Sequence, residues 1–242
     1  MSTFREWVGS MLFTAYLFLS VPVFACGVFV APLLPIVTAY AVARVWAASV
    51  LVMLKLLCRL DYQVDGLEHL RGENCVVLLK HSSAWETIAQ FVIFPRQTWV
   101  MKRELLWMPI LGWVLLLLKP IAINRKGGRI AVEQVLRQGQ ARLGEGYWVM
   151  IFPEGTRVAV GEKRRYGISG ALLATTTARD VIPVAHDAGW YWPRRGLRKR
   201  AGTIRLAIGP RIPTAGKQAR AINAEVEAWI DAKLGQIDAM RD

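Results

Sequence analysis

The chain has 242 residues and a mass of 27.1 kDa, enough for one domain with its own core, or for a domain with an anchor. With 54% hydrophobic residues, 20% charged residues and a mean hydropathy of +0.30 it is too apolar for a disordered chain, and three cysteines exclude a small disulfide scaffold. The formal charge of +13 is uneven: residues 1–101 hold seven basic and six acidic side chains against 24 and 12 in residues 102–242, so the second half is the part that seeks polyanions.

From Met11 to Ala43 there are 33 residues without a charge. A straight helix of that length, at about 1.5 Å per residue, exceeds the ~30 Å of a hydrocarbon core. Pro32 and Pro35 supply a break, which predicts a helical hairpin with helices near residues 10–31 and 36–58 and an anchoring segment over residues 1–58. A signal peptide is the alternative, since Arg5 precedes the run and VFAC at 23–26 faintly resembles a cleavage site. The apolar run continues well past Cys26. A hairpin returns to its starting side, and the basic remainder favours the cytoplasmic face of an inner membrane. Cys26, Cys58 and Cys75 have no metal-ligand spacing and read as packing residues in a reducing compartment.

After Arg59 the pattern becomes that of an α/β domain over residues 59–242. Strands are predicted at 62–64, 75–80, 98–102, 121–124, 148–152, 181–185 and 203–208, several continuously apolar as expected when both faces are covered. Val132, Val135, Leu136 and Leu143 fall on one helical stripe that stops at Gly144, and Ile222, Val226, Trp229 and Ile230 form another. The run LLWMPILGWVLLLL (105–118) is too short to span a bilayer comfortably and reads either as a buried core helix or as a surface touching the membrane.

Chemistry concentrates in two places. In LLKHSSAWE a strand ends at Lys80, His81 occupies the turn and a helix begins near Ala84. On a continuous helix His81 and Glu86 would diverge by about 140°. With His81 in the preceding loop, the Glu86 carboxylate can instead accept an imidazole N–H and leave the other nitrogen free to take a proton. A simpler reading is a capping box, Glu86 closing on the Ser83 backbone. The second place is Phe152-Pro153-Glu154-Gly155-Thr156-Arg157, which follows a predicted strand and offers an arginine fork, a hydroxyl and a glycine, groups suited to phosphate.

HSSAWE followed some 70 residues later by IFPEGTR, with KREL (102–105), IAINR (121–125) and IPV (182–184) in order, resembles the glycerolipid acyltransferase family, specifically its 1-acyl-glycerol-3-phosphate acyltransferases, over roughly residues 60–190. The resemblance implies a glycerol-3-phosphate acyltransferase-like fold, a mixed, mostly seven-stranded sheet flanked by helices. It implies His81 as general base with Glu86 steadying it. Arg125, Glu154, Gly155, Thr156 and Arg157 would hold the glycerol phosphate, with Lys102 supporting that site or the acyl channel. Glu86 stands where the family has aspartate and Lys80 where it often has asparagine; Lys80 is assigned no role. Pro183 reads as structural, and His186, with no paired acid at a recognisable spacing, as a satisfied polar histidine.

The implied reaction moves an acyl group from acyl-CoA or acyl carrier protein, as co-substrate, to the sn-2 hydroxyl of lysophosphatidic acid, forming phosphatidic acid without a metal or other cofactor. Another lysolipid or a saccharolipid is the nearest alternative acceptor. The stretches at 163–165 and 190–200 read either as a hold on anionic lipids or as a solvated basic face. A non-enzymatic basic adaptor is the alternative of another class; the chain carries no recognised nucleic-acid motif, and nucleic acid is not an expected partner.

Overall fold

The computed structural model describes residues 2–30 and 38–241; the expected break at Pro32 and Pro35 lies outside them. Helix α1 (Ser2–Val30) begins eight residues earlier than the charge pattern predicts, and α2 (Ala39–Cys58) starts on the Thr38 cap. Thr38 accepts the Ala41 N–H through its side chain, the usual way of satisfying a free donor at a helix start. Both helices are long and apolar enough to cross a membrane, with mean hydropathies of 2.0 and 1.9. At the end of α2, Arg59 adopts a left-handed conformation (φ 55°) and its N–H returns to the Leu54 carbonyl, which turns the chain directly into the sheet.

The strands are β1 (Leu60–Asp65), β2 (Val76–Leu79), β3 (Gln97–Lys102), β4 (Ile121–Ile123), β5 (Trp148–Ile151), β6 (Val181–His186) and β7 (Gly202–Ile208). They form one mixed sheet in the order β1-β7-β6-β2-β5-β3-β4. Every neighbouring pair is parallel except β6 and β7. Each predicted strand is present, displaced by at most two residues at either end. The helices between them are α3 (Trp85–Ile93), α4 (Leu111–Leu117), α5 (Arg129–Gly144), α6 (Ser169–Thr176), α7 (Ala188–Tyr191) and α8 (Ala219–Ala239).

Alternation along β2 shows why its run is wholly apolar: Val77 and Leu79 join a core shared with α2 and α3, while Val76 and Leu78 join a second core under α5, α6 and α8. Because α2 supplies Ala47, Val50, Leu51 and Leu54 to the first core, the apolar hairpin is packed into the domain rather than tethered beside it. Helix α1 is fixed by different means. Phe13 is fully buried edge-on to Trp192, Glu6 pairs with Arg198 at 2.6 Å, and Lys199 donates to Thr14 Oγ1 at 2.7 Å.

The run at 105–118 is not a buried core helix. A 3-10 turn at Arg103–Trp107 is followed by a break at Pro109 and then by α4, and Trp107 (72% exposed), Met108, Ile110 and Trp113 stand in solvent. Proline removes a donor and clashes with the preceding turn, so one continuous helix through this segment is disfavoured despite its composition. Trp113 meets Phe29 of α1 edge-on, which joins this exposed apolar surface to that of the hairpin.

Candidate active site

Four adjacent parallel strands, β4, β3, β5 and β2, end on one edge of the sheet, and the segments that leave those ends carry the chemistry. Crevices beyond the carboxyl ends of parallel strands are where ligands bind in open α/β sheets. His81 leaves β2, Phe152–Thr156 leaves β5, Lys102 ends β3, and Arg125 follows β4.

His81 Nδ1 lies 2.8 Å from Glu86 Oε1, and the Glu86 side chain is fully buried. The same carboxylate accepts the Ser82 and Ser83 backbone N–H groups at 2.9 Å, so dyad and helix cap are one arrangement and not competing ones. This is possible because α3 begins only at Trp85: the loop before it curls over the first turn and brings residue 81 to residue 86. The longer glutamate is accommodated without loss of contact. Burial by itself raises the Glu86 carboxyl, but the imidazoles of His186 and His81 and the Ser83 N–H outweigh it and hold it below the usual carboxylate range. With Nδ1 donating to Glu86, Nε2 is left as the acceptor. The ring is stacked on Phe152 at 4.1 Å between centroids, which places it against the second motif.

Three further bonds lock the two motifs together. Glu154 Oε2 accepts the His81 backbone N–H at 2.7 Å, its Oε1 pairs with Lys80, and Val158 N–H donates to the His81 carbonyl at 2.8 Å. Glu154 therefore faces the His81 turn and not the phosphate-type groups expected beside it. A carboxylate aimed at a phosphate would repel it, whereas here its charge is met by Lys80, which thereby acquires a role that its sequence position did not suggest.

Lys102, Arg125, Gly155 and Thr156 line a single cleft of about 500 Å³, together with Phe152, Arg164 and Arg194. Gly155 has φ +67°, and a Cβ there would meet nothing within 4 Å, so glycine serves the left-handed turn and not a steric need. Its carbonyl accepts from Arg125 Nη1 at 2.7 Å, which orients that guanidinium at the cleft. Arg157 does not line this cleft; its carbonyl accepts from Arg194 Nη1 at 3.0 Å. Among the described residues, Lys102, Arg125, Arg164 and Arg194 form no ion pair with a carboxylate, which leaves the cleft cationic.

His186, read from the sequence as a satisfied polar histidine, is one and also stands beside the dyad, whereas Arg194 escaped the sequence reading as a cleft residue. His186, at the end of β6, is buried, and its Nε2 is 2.8 Å from the Lys80 carbonyl and 3.8 Å from Glu86 Oε2, while its Nδ1 accepts the Ala188 N–H. No spacing rule links His186 to Lys80, 106 positions away; only the pairing of β6 with β2 does. Arg194 came from a stretch read as lipid-binding or solvated, and nothing local distinguishes it from its neighbours.

A histidine tied to a buried carboxylate, at the carboxyl edge of a parallel sheet and beside a cationic cleft, has the chemistry to take a proton next to a bound anion. The family model described as Acyltransferase matches residues 61–187, which include both motifs. Over 233 residues the chain is 40% identical to the 1-acyl-sn-glycerol-3-phosphate acyltransferase of Pseudomonas aeruginosa, covering 93% of this chain and 91% of that protein. It is 26% identical to the human 1-acyl-sn-glycerol-3-phosphate acyltransferase beta over 65% of this chain and 56% of the human protein. The crystal structure of the 1-acyl-sn-glycerophosphate acyltransferase PlsC from Thermotoga maritima superposes with a TM-score of 0.80 at 18% identity, covering 99% and 98% of the two chains. The chain belongs to the acyltransferase family and is an acyltransferase.

Proposed function

We propose that the protein transfers a fatty acyl group from an acyl thioester to the free sn-2 hydroxyl of 1-acyl-glycerol-3-phosphate, producing phosphatidic acid. The observation that carries this is the position of the His81–Glu86 dyad against the Phe152 edge of a cleft that holds the Thr156 hydroxyl and the cations Lys102, Arg125, Arg164 and Arg194, which among the described residues have no carboxylate partners. A dianionic monoester suits fixed guanidinium forks, and the hydroxyl one carbon away would then lie near His81.

His81 Nε2 removes the hydroxyl proton as the oxygen attacks the thioester carbonyl carbon. Glu86 stabilises the imidazolium that forms, the C–S bond breaks, and the thiolate leaves with the proton returned by His81. General-base assistance of this kind contributes about 10²–10⁴ in rate, and holding both substrates adds proximity. The chain itself needs no metal for these steps. The donor is acyl-CoA or acyl carrier protein.

An apolar cavity of about 260 Å³ between the hairpin and the sheet, lined among others by Phe24, Val28, Ile88, Phe91, Met101 and Val114, offers a place for an acyl chain. The hairpin and the exposed tryptophans beside it support a lipid-surface location for that cavity, and the excess of basic residues supports the cytoplasmic side of an inner membrane with anionic lipids drawn to the basic half. The test is a panel of acceptors with purified protein in lipid: lysophosphatidic acid should be acylated, while lysophosphatidylcholine, in which the phosphate is a diester, should not. Equal rates on both would refute the monoester assignment.

A further inference from the structure

Beyond the acceptor cleft the fold holds a second basic groove, of about 460 Å³, on the other side of Arg194. Its walls include Ser82, Gly189, Trp190, Arg194, Arg195 and Arg200. Ser82 follows the catalytic histidine directly in the chain, so one end of the groove starts beside His81. Arg194 lines both this groove and the acceptor cleft.

Three features mark it as a built site for an anion. First, among the described residues none of Arg194, Arg195 and Arg200 makes an ion pair with a carboxylate, in contrast to Arg198, which pairs with Glu6, and to Lys199, which is buried against α1. Glu162 is the one carboxylate that lines the groove. Second, Ser82 is 95% buried and its hydroxyl has no hydrogen-bond partner among the described residues, an unmet polar group at the groove's inner end. Third, Gly189 packs directly against Ser82 at that end: a Cβ there would fall 2.8 Å from Ser82 Cβ and 2.9 Å from its oxygen, so any side chain would crowd the Ser82 hydroxyl. Arg200 lies over Trp190 at 4.5 Å and donates to its carbonyl, which stiffens the outer wall.

We propose that this groove receives the phosphorylated nucleotide head of an acyl-coenzyme donor, with the diphosphate and ribose phosphate on Arg194, Arg195 and Arg200 and the thioester end directed past Ser82 to His81. The inference rests on the acyl-transfer reading and names where its donor lies. A concave groove of this volume is in the range for small-molecule sites, and three guanidiniums suit the several phosphate oxygens of such a head. Sharing Arg194 between the two anion sites sets donor and acceptor side by side.

The test compares palmitoyl-CoA with S-palmitoylpantetheine, which carries the same thioester and no phosphate, using full-length protein in lipid and lysophosphatidic acid as acceptor. Wild-type protein is expected to have the lower KM for palmitoyl-CoA. In Arg195→Glu that KM should rise about tenfold, with the KM for lysophosphatidic acid within twofold and much of the discrimination between donors lost; Arg195→Lys should recover most of it. The unchanged acceptor KM also shows that the variant is folded. An unaltered KM for palmitoyl-CoA in Arg195→Glu, or wild-type protein that accepts only acyl carrier protein, overturns the groove assignment while leaving acyl transfer intact. Wild-type protein that acylates lysophosphatidic acid from no thioester donor refutes the underlying reaction, and the donor site with it.

Discussion

Glu154 accepts the backbone N–H of His81 at 2.7 Å while its second oxygen pairs with Lys80, so the loop that faces the phosphate and the turn that carries the base are held as one body. The Glu154 side chain is fully buried and that of Lys80 nearly so. Removing one partner from such a pair leaves an uncompensated charge, at a cost of about 3–5 kcal/mol. Lys80→Ala should therefore lower the unfolding midpoint markedly. Lys80→Met with Glu154→Gln, which removes both charges and keeps an acceptor for the His81 N–H, should recover most of the loss. A double variant no more stable than Lys80→Ala would show that the ion pair itself is required.

Replacing His81 tests the chemistry most directly. His81→Ala should reduce turnover by about 10²–10⁴ or more while the protein still sediments with vesicles, since the hairpin is untouched. Full turnover would exclude His81 as the base.

Glu86 combines two roles that substitution separates. Glu86→Gln retains an oxygen for the Ser82 and Ser83 N–H groups but loses the charge that stabilises imidazolium, so kcat should fall about 10²-fold or more with little change in KM. Glu86→Asp keeps the charge on a shorter arm and should retain more activity than the glutamine variant. Equal wild-type rates in both would reduce Glu86 to a cap.

The pH dependence of stability has a definite sign. The folded-state pKa of Glu86 lies below its unfolded value, so its contribution is complete above the usual glutamate value of about 4.3 and is lost as pH falls through the lower folded value. Thermal unfolding of wild-type protein should lose stability on acidification below about pH 4 more steeply than Glu86→Gln. Parallel curves would contradict the depressed carboxyl.

The exposed surface at Trp107 and Trp113 should contribute to lipid contact. Trp107→Ser with Trp113→Ser should weaken vesicle flotation while activity on detergent-solubilised substrate persists; unchanged flotation would leave α1 and α2 as the membrane contact.

Much of this protein was written locally in its sequence. Seven apolar β-rich runs, a charge-free N-terminal stretch and two helical stripes determined an α/β domain behind an apolar hairpin, because periodicity and burial are properties of short segments. The two motifs, with His81 and Glu86 five positions apart and FPEGTR behind a strand, were likewise local, and so was the dipeptide-level conflict over whether Glu86 caps a helix. What only the tertiary structure decided were relations between segments far apart in the chain. The pairing of β2 with β5 turned Glu154 toward Lys80 and the His81 backbone, and that of β2 with β6 set His186 beside Glu86. Folding the stretch at 190–200 back on α1 gave Arg198 and Lys199 partners while leaving Arg194 at the cleft. Side-chain direction follows from which strands lie side by side, and strand order is a global outcome of packing two apolar faces at once, with no signature in any short stretch of residues.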